Sequence, residues 1–583
     1  MFRRKFISAL LLAAFVLPTA ALARGGAVYQ APKETIDKIK EEGMKNSQVM
    51  ETLSYLTNVI GGRLTNSPNM KRANEWTRDQ MTKWGMQNAH LESWGPFGRG
   101  WELKRFSAQV SAPYSFPLIA YPKAWSPGIA VAPPAPAPDP KGKKSKMDAP
   151  TPPPSTVVTS DVVLFDAKTE ADYAKYKGQL KGKIVLMSDV REIKADFDGY
   201  GTRLGDKELL AMANAPDPAS VQRPTGGQPN MAAMQSRLER FMNGIKRTKF
   251  LIEEGAALVV DNSGNGSGGT IFVSAASVAA DVPANPMDFF TQKRLQPWDK
   301  EAESKMVPQM TVATEDYNRL VRMIQAGEKV QMTVDLAVQY HDEDTMAYNT
   351  VAEIPGTDPT LKEELVMLGG HMDSWHSGTG ATDNAAGVAV AMEAARIIQT
   401  LGLKPRRTIR VALWSGEEQG LFGSSNYVKQ HFGEMIGGPN IFGIPQPNAP
   451  KPELKKGADY DKLSAYYNLD NGTGKIRGVY TQGNSEVWPI FRAWLAPFAD
   501  LGATTLTMQN TGGTDHLSFD RIGLPGFQFI QDEIEYDTRT HHSNQDVYDR
   551  IQPDDMKQAA TIMAAFVYQT AMMDEKMPRK AMR

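Results

Sequence analysis

Apolar and polar residues follow two different periods along the second half of the chain. Four short runs are rich in apolar and β-branched residues, as buried strands are: 365–368, 408–414, 464–469 and 523–530. Two longer segments repeat apolar residues every three or four positions, which predicts helices: 385–400 and 553–567. Strands that alternate with helices predict an α/β fold, with a mixed sheet flanked by helices.

The N-terminal part of the chain also has a helical pattern. Segment 33–84 is helix-like, and the pair Gly61 and Gly62 interrupts it. Ser67 and Pro68 offer an N-cap and a first helical residue for a second helix.

The residues between 115 and 347 do not continue this pattern. Their strand-like runs, such as 183–187, are short and separated by turns and by long polar stretches. The tract 132–155 is rich in proline, alanine and lysine, which cannot build a packed core, so we expect a flexible extended loop. The glycine-rich stretch 263–269 lacks the Lys-Ser/Thr ending of a phosphate-binding loop and predicts a turn. We interpret 115–347 as a β-rich insertion.

The first 23 residues have the form of an export signal. Basic residues at 3–5 precede an apolar run at 6–17, and Ala21 and Ala23 form a small-x-small cleavage site. The apolar run is shorter than the roughly 20 residues of a membrane-spanning helix. We expect cleavage after Ala23, a periplasmic or secreted protein, and no membrane anchor in the mature chain.

Composition narrows the possible functions. The chain has 583 residues, and its 65 Lys and Arg nearly balance its 66 Asp and Glu, so no charge excess favours nucleic acid as a partner. It contains no cysteine, which excludes disulfides, thiolate metal sites and cysteine nucleophiles. A transition metal would therefore bind His and carboxylate side chains, a donor set that suits zinc and its neighbours.

Five short motifs bring such donors to the ends of predicted elements. Each motif alone has an ordinary structural explanation, such as a helix cap or a solvated acidic turn. Together they supply the donors for two metal ions that share one carboxylate, with a further Glu free to act as a base. The residues are His371 and Asp373, Asp383, Glu417 and Glu418, Asp470, and His542.

The ordered set of motifs resembles the M28 family of zinc peptidases. His-x-Asp, Asp-Asn-Ala-Ala-Gly, Gly-Glu-Glu-x-Gly, Leu-Asp and His-Ser-x-x-Asp follow one another here as in that family, and segment 371–381 is similar to bacterial relatives of carboxypeptidase Q. The resemblance implies a zinc exopeptidase fold. Residues 24–114 would form the N-terminal part of its peptidase domain, 348–583 the catalytic domain, and 115–347 an inserted domain like the protease-associated (PA) domain.

The resemblance also implies a set of metal ligands. His371 and Asp470 would bind one zinc ion, and Glu418 and His542 would bind the other. Asp383 would bridge the two ions. Each ion would then have two terminal protein ligands and the shared carboxylate, which leaves room for water as catalytic sites require.

Other motif residues would act on the reaction or shape the pocket. Glu417 would be the general base and acid for a dizinc-activated water, and Asp373 would orient His371. His541 stands where many members of the family have tyrosine. The candidate pocket residues are Trp375, Asp515, His516 and His541.

The implied function is hydrolysis of the terminal peptide bonds of dipeptides or short peptides. Three alternatives stay open: a glutaminyl-cyclase-like acyltransferase with one zinc ion, a hydrolase of non-peptide amides, and a non-catalytic receptor-like relative. The receptor alternative is disfavoured because all five ligand positions are filled. Short peptides are the expected partners, a homodimer is an open alternative, and the preference for amino or carboxyl ends is undetermined.

Overall fold

A computed structural model describes residues 28–132, 153–218, 220, 231–283, 293–437 and 450–581. The predicted export signal at 1–23 and most of the proline-rich tract at 132–155 lie outside the described residues.

In the described part, the strands are β1 Gln87–Pro96, β2 Gly100–Ala112, β3 Phe116–Pro117, β4 Ala120–Pro122, β5 Val157–Leu164, β6 Ile184–Leu186, β7 Leu258–Asn262, β8 Gln309–Val312, β9 Gln331–His341, β10 Met346–Ile354, β11 Leu365–His371, β12 Thr408–Trp414, β13 Gly433–Ile436, β14 Glu453–Lys456, β15 Leu463–Asn468, β16 Ile476–Tyr480, β17 Thr505–Thr507 and β18 Gly526–Gln531. The α-helices are α1 Lys33–Lys45, α2 Val49–Ser54, α3 Pro68–Lys83, α4 Asp206–Ala213, α5 Met231–Glu253, α6 Thr314–Gln325, α7 Ala386–Thr400, α8 Phe422–His431, α9 Trp488–Leu495, α10 His516–Asp520 and α11 Pro553–Met572.

The first sheet has the strand order β1-β10-β12-β11-β15-β18-β16-β17. Its four central strands, β12, β11, β15 and β18, are parallel, and antiparallel pairing on both flanks makes the sheet mixed. Alternate residues of β11 enter two different cores: Val366 and Leu368 pack with α7 and α11, whereas Leu365 and Met367 pack with α8 and α10. Helices therefore cover both faces, and the predicted α/β class is confirmed.

Several local predictions hold closely. Ser67 caps α3, because its side chain accepts a hydrogen bond from the Met70 amide at 3.1 Å, and Pro68 is the first helical residue. β12 spans the predicted residues 408–414, and α7 and α11 begin within one residue of the predicted positions.

Two glycines let β11 lie close to its neighbours. A Cβ on Gly369 would lie 1.8 Å from the Ala412 carbonyl oxygen, and one on Gly370 would lie 2.9 Å from Asn384 Nδ2 and from the Leu469 carbonyl oxygen. These positions require glycine because backbones approach too closely for any side chain. The end of β11 is thereby packed tightly against the segments that carry the polar motifs.

The second sheet has the strand order β3-β2-β9-β5-β6-β7-β8-β4 and takes its strands from residues 100–341. Its own core includes Val110, Ile184, Met332 and Val334, and α6 packs on it through Tyr317. β2 thus pairs in the second sheet although it precedes residue 115. The division into domains and the PA-like character of 115–347 stay predictions.

None of the helices in the described residues combines the length and the apolar composition that crossing a bilayer requires.

Candidate metal centre

The polar motifs meet at one edge of the first sheet. His371 is the last residue of β11 and pairs with Trp414, the last residue of β12, so Glu417 and Glu418 follow at the same edge. β15 runs parallel to β11 and ends two residues before Asp470. The carboxyl ends of parallel strands are where α/β sheets place their sites, because the strands all end at the same side.

His371 lies at the centre of one half of the cluster. Its Nε2 atom is 3.2 Å from Asp470 Oδ1 and 3.2 Å from Asp383 Oδ1. Glu417 Oε2 is slightly farther, at 3.9 Å from the same nitrogen. The imidazole is 1% exposed, so its contacts with the carboxylates are shielded from water.

His542 forms the other half of the cluster. Its Nε2 atom is 2.9 Å from Glu418 Oε2 and 3.3 Å from Asp383 Oδ2. His542 has a φ of +59°, so a left-handed backbone conformation turns its ring toward the carboxylates. Asp383 therefore lies between the two histidines and presents one oxygen to each.

The donor atoms fit divalent cations. Asp383 Oδ2 and Glu418 Oε1 are buried and, among the described residues, have no hydrogen-bond partner. A buried carboxylate oxygen that makes no hydrogen bond is costly, and a bound cation is one partner that can satisfy it. Two overlapping groups of potential ligands share Asp383: one with His371 and Glu418, the other with His541 and His542.

The pKa values of the cluster residues are shifted because several carboxylates are buried close together. Burial raises the pKa of Glu417 well above its usual range, and the nearby charges of Asp470 and Asp515 raise it further. Burial and the charge of Asp383 do the same to the pKa of Glu418. Burial alone would lower the pKa of His371, but the surrounding carboxylates, Asp470 first, raise it well above its usual value.

Asp373 contacts His371 chiefly through its main chain rather than through its carboxylate. His371 Nδ1 is 3.0 Å from the backbone carbonyl oxygen of Asp373, whereas the Asp373 carboxylate is 3.7 Å from the ring. That carboxylate instead accepts hydrogen bonds from Thr65 Oγ1 at 2.8 Å and from the amides of Glu417 and Glu418 at 3.3 Å. Asp373 therefore orients His371 through its main chain and fixes the Glu417–Glu418 turn through its side chain.

The four candidate pocket residues fall into two groups. Trp375 donates its indole N–H to Glu418 Oε2 at 2.8 Å, and His541 Nε2 is 3.8 Å from Asp383 Oδ2, so both touch the cluster. Asp515 is fully buried behind it, and burial raises its pKa to about 7. His516 Nε2 contacts Gln482 and the Thr511 carbonyl oxygen instead of the cluster.

Two buried charged residues that the sequence interpretation gave no role surround the loop before Asp383. Asp546 Oδ1 accepts hydrogen bonds from the Thr382 amide at 2.6 Å and its hydroxyl at 2.8 Å, and Oδ2 accepts one from the Asp383 amide at 3.1 Å. Arg63 binds carbonyl oxygens of the same loop. Burial lowers the pKa of Arg63 to about 10, so the guanidinium stays charged at neutral pH. In the sequence, the position of Arg63 directly after Gly61 and Gly62 is the only sign of this role.

The loop that carries His542 is also bound to residues near the second sheet. Val273 donates its amide to the His542 carbonyl oxygen at 3.0 Å. Asn544 donates its amide to the Ile271 carbonyl oxygen at 3.1 Å, and its side-chain Oδ1 accepts the Ile271 amide at 2.8 Å. Phe272 and Ser543 form an antiparallel bridge between the two segments. The conformation of the His542 turn thus depends on a segment some 270 residues earlier in the chain.

Sequence comparison identifies relatives of the part of the chain that holds this centre. Residues 349–567 match the sequence profile of Peptidase family M28. Carboxypeptidase Q of Mus musculus is 31% identical over 273 residues, which are 47% of this chain and 52% of that protein. The chain thus spans about half the length of the curated relatives it matches. Leupeptin-inactivating enzyme 1 of Streptomyces exfoliatus is 30% identical over 179 residues, 30% of this chain and 34% of that protein.

Solved structures share the fold over most of the chain. A peptidase M28 precursor from Shewanella amazonensis superposes with a TM-score of 0.58 at 21% identity, covering 94% of this chain and 99% of that one. A zinc aminopeptidase from Bacillus subtilis superposes with a TM-score of 0.50 at 16% identity, covering 91% and 96%. At these identities the likeness concerns the fold, and it agrees with the predicted zinc exopeptidase fold.

Proposed function

We propose that the protein is a zinc-dependent exopeptidase, because residues 349–567 match the sequence profile of Peptidase family M28 and carboxypeptidase Q of Mus musculus is 31% identical over 273 residues. Its substrates would be dipeptides or short peptides, hydrolysed at a terminal peptide bond. The observation that carries the proposal is the position of Asp383, whose two oxygens lie 3.2 Å from His371 Nε2 and 3.3 Å from His542 Nε2. A carboxylate shared between two histidine-centred groups suits a pair of metal ions.

These contacts support the ligand sets that the family resemblance implies. His371 and Asp470 would hold one zinc ion, Glu418 and His542 the other, and Asp383 both. Bound there, the ions would supply Lewis-acid activation of a water molecule and of the peptide carbonyl. The fold is shared with a zinc aminopeptidase from Bacillus subtilis, and zinc accepts the histidine and carboxylate donors that this cysteine-free chain offers.

Glu417 would carry the proton of the reaction. It is the carboxylate next to the cluster that is left without a metal in this assignment, and its Oε2 is 3.9 Å from His371 Nε2. It would take a proton from the attacking water as the new C–O bond forms, and give it to the departing amine as the C–N bond breaks. The Asp373 carboxylate holds the Glu417 amide at 3.3 Å and so fixes where this base stands.

The peptide would approach over His541 and His542. Their side chains are 40% and 36% exposed, whereas those of His371, Asp383 and Asp470 are at most 7% exposed. The exposed face of the cluster therefore lies on the side of these two rings.

A panel of peptides tests this function. Zinc-loaded protein is incubated with dipeptides and tripeptides that carry free termini, a blocked amino terminus or a blocked carboxyl terminus, and products are identified by mass spectrometry. We expect release of terminal residues, with one of the two blocks abolishing the reaction and thereby defining the polarity. Absence of hydrolysis, or cleavage of internal bonds only, would contradict the proposal. Cyclised N-terminal glutamine as the product would favour an acyltransferase.

We also propose that the chain is exported, as the form of residues 1–23 suggests. Expression of the full chain in a Gram-negative bacterium, followed by fractionation and N-terminal sequencing, should place a protein that begins at Arg24 in the periplasm or medium. Full-length protein in the cytosol would refute export.

A further inference from the structure

We propose that Arg63 is a positioning residue of the metal centre, which fixes the loop between His371 and Asp383 by binding its backbone carbonyl oxygens at both ends. The inference rests on the proposed function, because it assigns Arg63 a role in holding the shared carboxylate in place. Arg63 lies outside residues 349–567, the segment that matches the family profile.

The guanidinium of Arg63 spans the loop. Its Nε donates to the Met372 carbonyl oxygen at 2.7 Å, one residue after His371. Its Nη1 donates to the Thr379 carbonyl oxygen at 2.7 Å, and its Nη2 donates to the Gly380 carbonyl oxygen at 2.9 Å. The two ends of the loop are thus tied to one planar group, which keeps their separation fixed.

The same guanidinium is anchored to its own segment. Nη1 also donates to the carbonyl oxygens of Leu56 at 3.3 Å and Gly61 at 3.1 Å, and the side chain is fully buried. Residues 56–61 and the loop are therefore joined through five hydrogen bonds from a single charged group. Hydrogen bonds from charged donors are about twice as strong as neutral ones.

The backbone around Arg63 leaves the loop little freedom. The Arg63 amide donates to Ser374 Oγ at 3.1 Å, and the Ser374 amide donates to the Arg63 carbonyl oxygen at 3.1 Å. Gly380 has a φ of +61°, and a Cβ there would lie 2.8 Å from Arg63 Nη2 and 2.3 Å from the Ser374 Cβ. The loop is packed directly on the arginine.

Asp546 binds the same loop through the loop's amide groups. Arg63 binds carbonyl oxygens of the loop, whereas Asp546 binds the amides of Thr382 and Asp383. The loop that presents Asp383 thus lies between a buried guanidinium that donates to its carbonyl oxygens and a buried aspartate side chain that accepts from its amides. Outer partners of this kind orient metal ligands, and their loss typically weakens metal binding about 10–100-fold.

Arg407 provides a matched control. It is also buried, at 1% exposure, and donates to Glu364 Oε2 at 2.7 Å and to the carbonyl oxygens of Met573 and Asp574. It precedes β12, at the end of the strand opposite to the one that leads to Glu417. Replacing it removes bonds from a buried guanidinium to backbone carbonyl oxygens, together with an ion pair to Glu364, without touching the centre.

The experiment compares Arg63→Lys and Arg63→Met with Arg407→Lys and Arg407→Met in the full chain. The metal-free melting temperature, the affinity for zinc chloride by calorimetry, and kcat and KM for a dipeptide are measured for each variant. We expect both Arg63 variants to bind zinc roughly 10–100-fold more weakly. Lysine keeps the charge but lacks the planar fork that reaches both ends of the loop. The Arg407 variants should lose thermal stability and keep the wild-type zinc affinity.

Wild-type zinc affinity in both Arg63 variants would overturn the inference and leave the proposed function standing. Equal losses of affinity in the Arg63 and Arg407 pairs would also overturn it, because the effect would then be general destabilisation. If Arg63→Met does not fold, the affinity of Arg63→Lys decides. Failure of the wild-type protein to bind zinc would overturn both this inference and the proposed function.

Discussion

At the scale of single residues, the adjacent carboxylates Glu417 and Glu418 have different surroundings, which agrees with the different roles proposed for them. Glu418 contacts His542 at 2.9 Å and accepts the indole N–H of Trp375 at 2.8 Å. Glu417, the preceding residue, has no such partner among the described residues beyond the 3.9 Å approach to His371. Glu418 is thus held as a metal ligand would be, and Glu417 has the fewer contacts that the proposed base would need.

Replacing Glu417 by Gln tests this division. Glutamine keeps the size of the side chain but cannot accept the proton, so turnover should fall by roughly 100-fold or more while zinc content stays at the wild-type level. Steady-state kinetics and elemental analysis of the same sample measure both quantities. Glu363→Gln, an exposed position before β11, is the matched control and should behave as wild type. Unchanged turnover in Glu417→Gln would refute its role as the base.

At the scale of elements, strands bring some ligands together and turns place the others. His371 sits within β11 and Asp470 just beyond β15, but His542 belongs to a turn that is held by residues 271–273. Asn544 links the two segments, because its side chain accepts the Ile271 amide at 2.8 Å and donates to the Gly269 carbonyl oxygen at 3.1 Å. The segment near the second sheet therefore shapes the centre without supplying a ligand.

Asn544→Ala should loosen this turn. Loss of two side-chain hydrogen bonds and exposure of their partners should cost about 1–3 kcal/mol of unfolding free energy. It should also weaken zinc binding, because His542 is two residues away. Chemical denaturation of metal-free protein and zinc calorimetry measure the two effects.

Asn318→Ala is the control for that variant. Asn318, in α6, makes two comparable side-chain bonds to the backbone of Arg191, at 3.2 and 2.7 Å. It should lower stability by a similar amount and leave zinc affinity unchanged. If both variants leave zinc affinity unchanged, the contact with residues 271–273 does not shape the centre.

The sequence predicts what has a local pattern. The period of apolar residues predicts β12, α7 and α11 closely, and the motif residues that it places at strand ends do meet in space. Contacts between distant segments have no such pattern. The bonds of Arg63 to residues 372–380 and the bridge between Phe272 and Ser543 could not be predicted for this reason. The carboxylate of Asp373 faces Thr65, which likewise lies far away in the chain.

At the scale of the whole molecule, the centre concentrates buried negative charge where several parts of the fold meet. Asp383, the adjacent pair Glu417 and Glu418, and Asp470 come from three separate stretches, and burial together with nearby carboxylate charges raises the pKa of both glutamates. Cations at this point would relieve the repulsion and connect the stretches. Metal binding should therefore contribute to the stability of the entire peptidase unit.

Removal of metal with a chelator should lower the melting temperature, and added zinc should restore it. A ligand that binds the folded state alone stabilises it by about 2.7 kcal/mol at 100 times its Kd. Differential scanning calorimetry over a series of zinc concentrations measures the shift, with Asp383→Asn as the comparison that should respond less. A melting temperature independent of zinc would contradict a metal centre at this place.

Anomalous diffraction at the zinc edge, from crystals grown with zinc, tests the central claim most directly. We expect two peaks: one in contact with His371 and Asp470, the other in contact with Glu418 and His542, and both in contact with Asp383. Peaks only elsewhere on the molecule, or no peak between these side chains, would contradict the account.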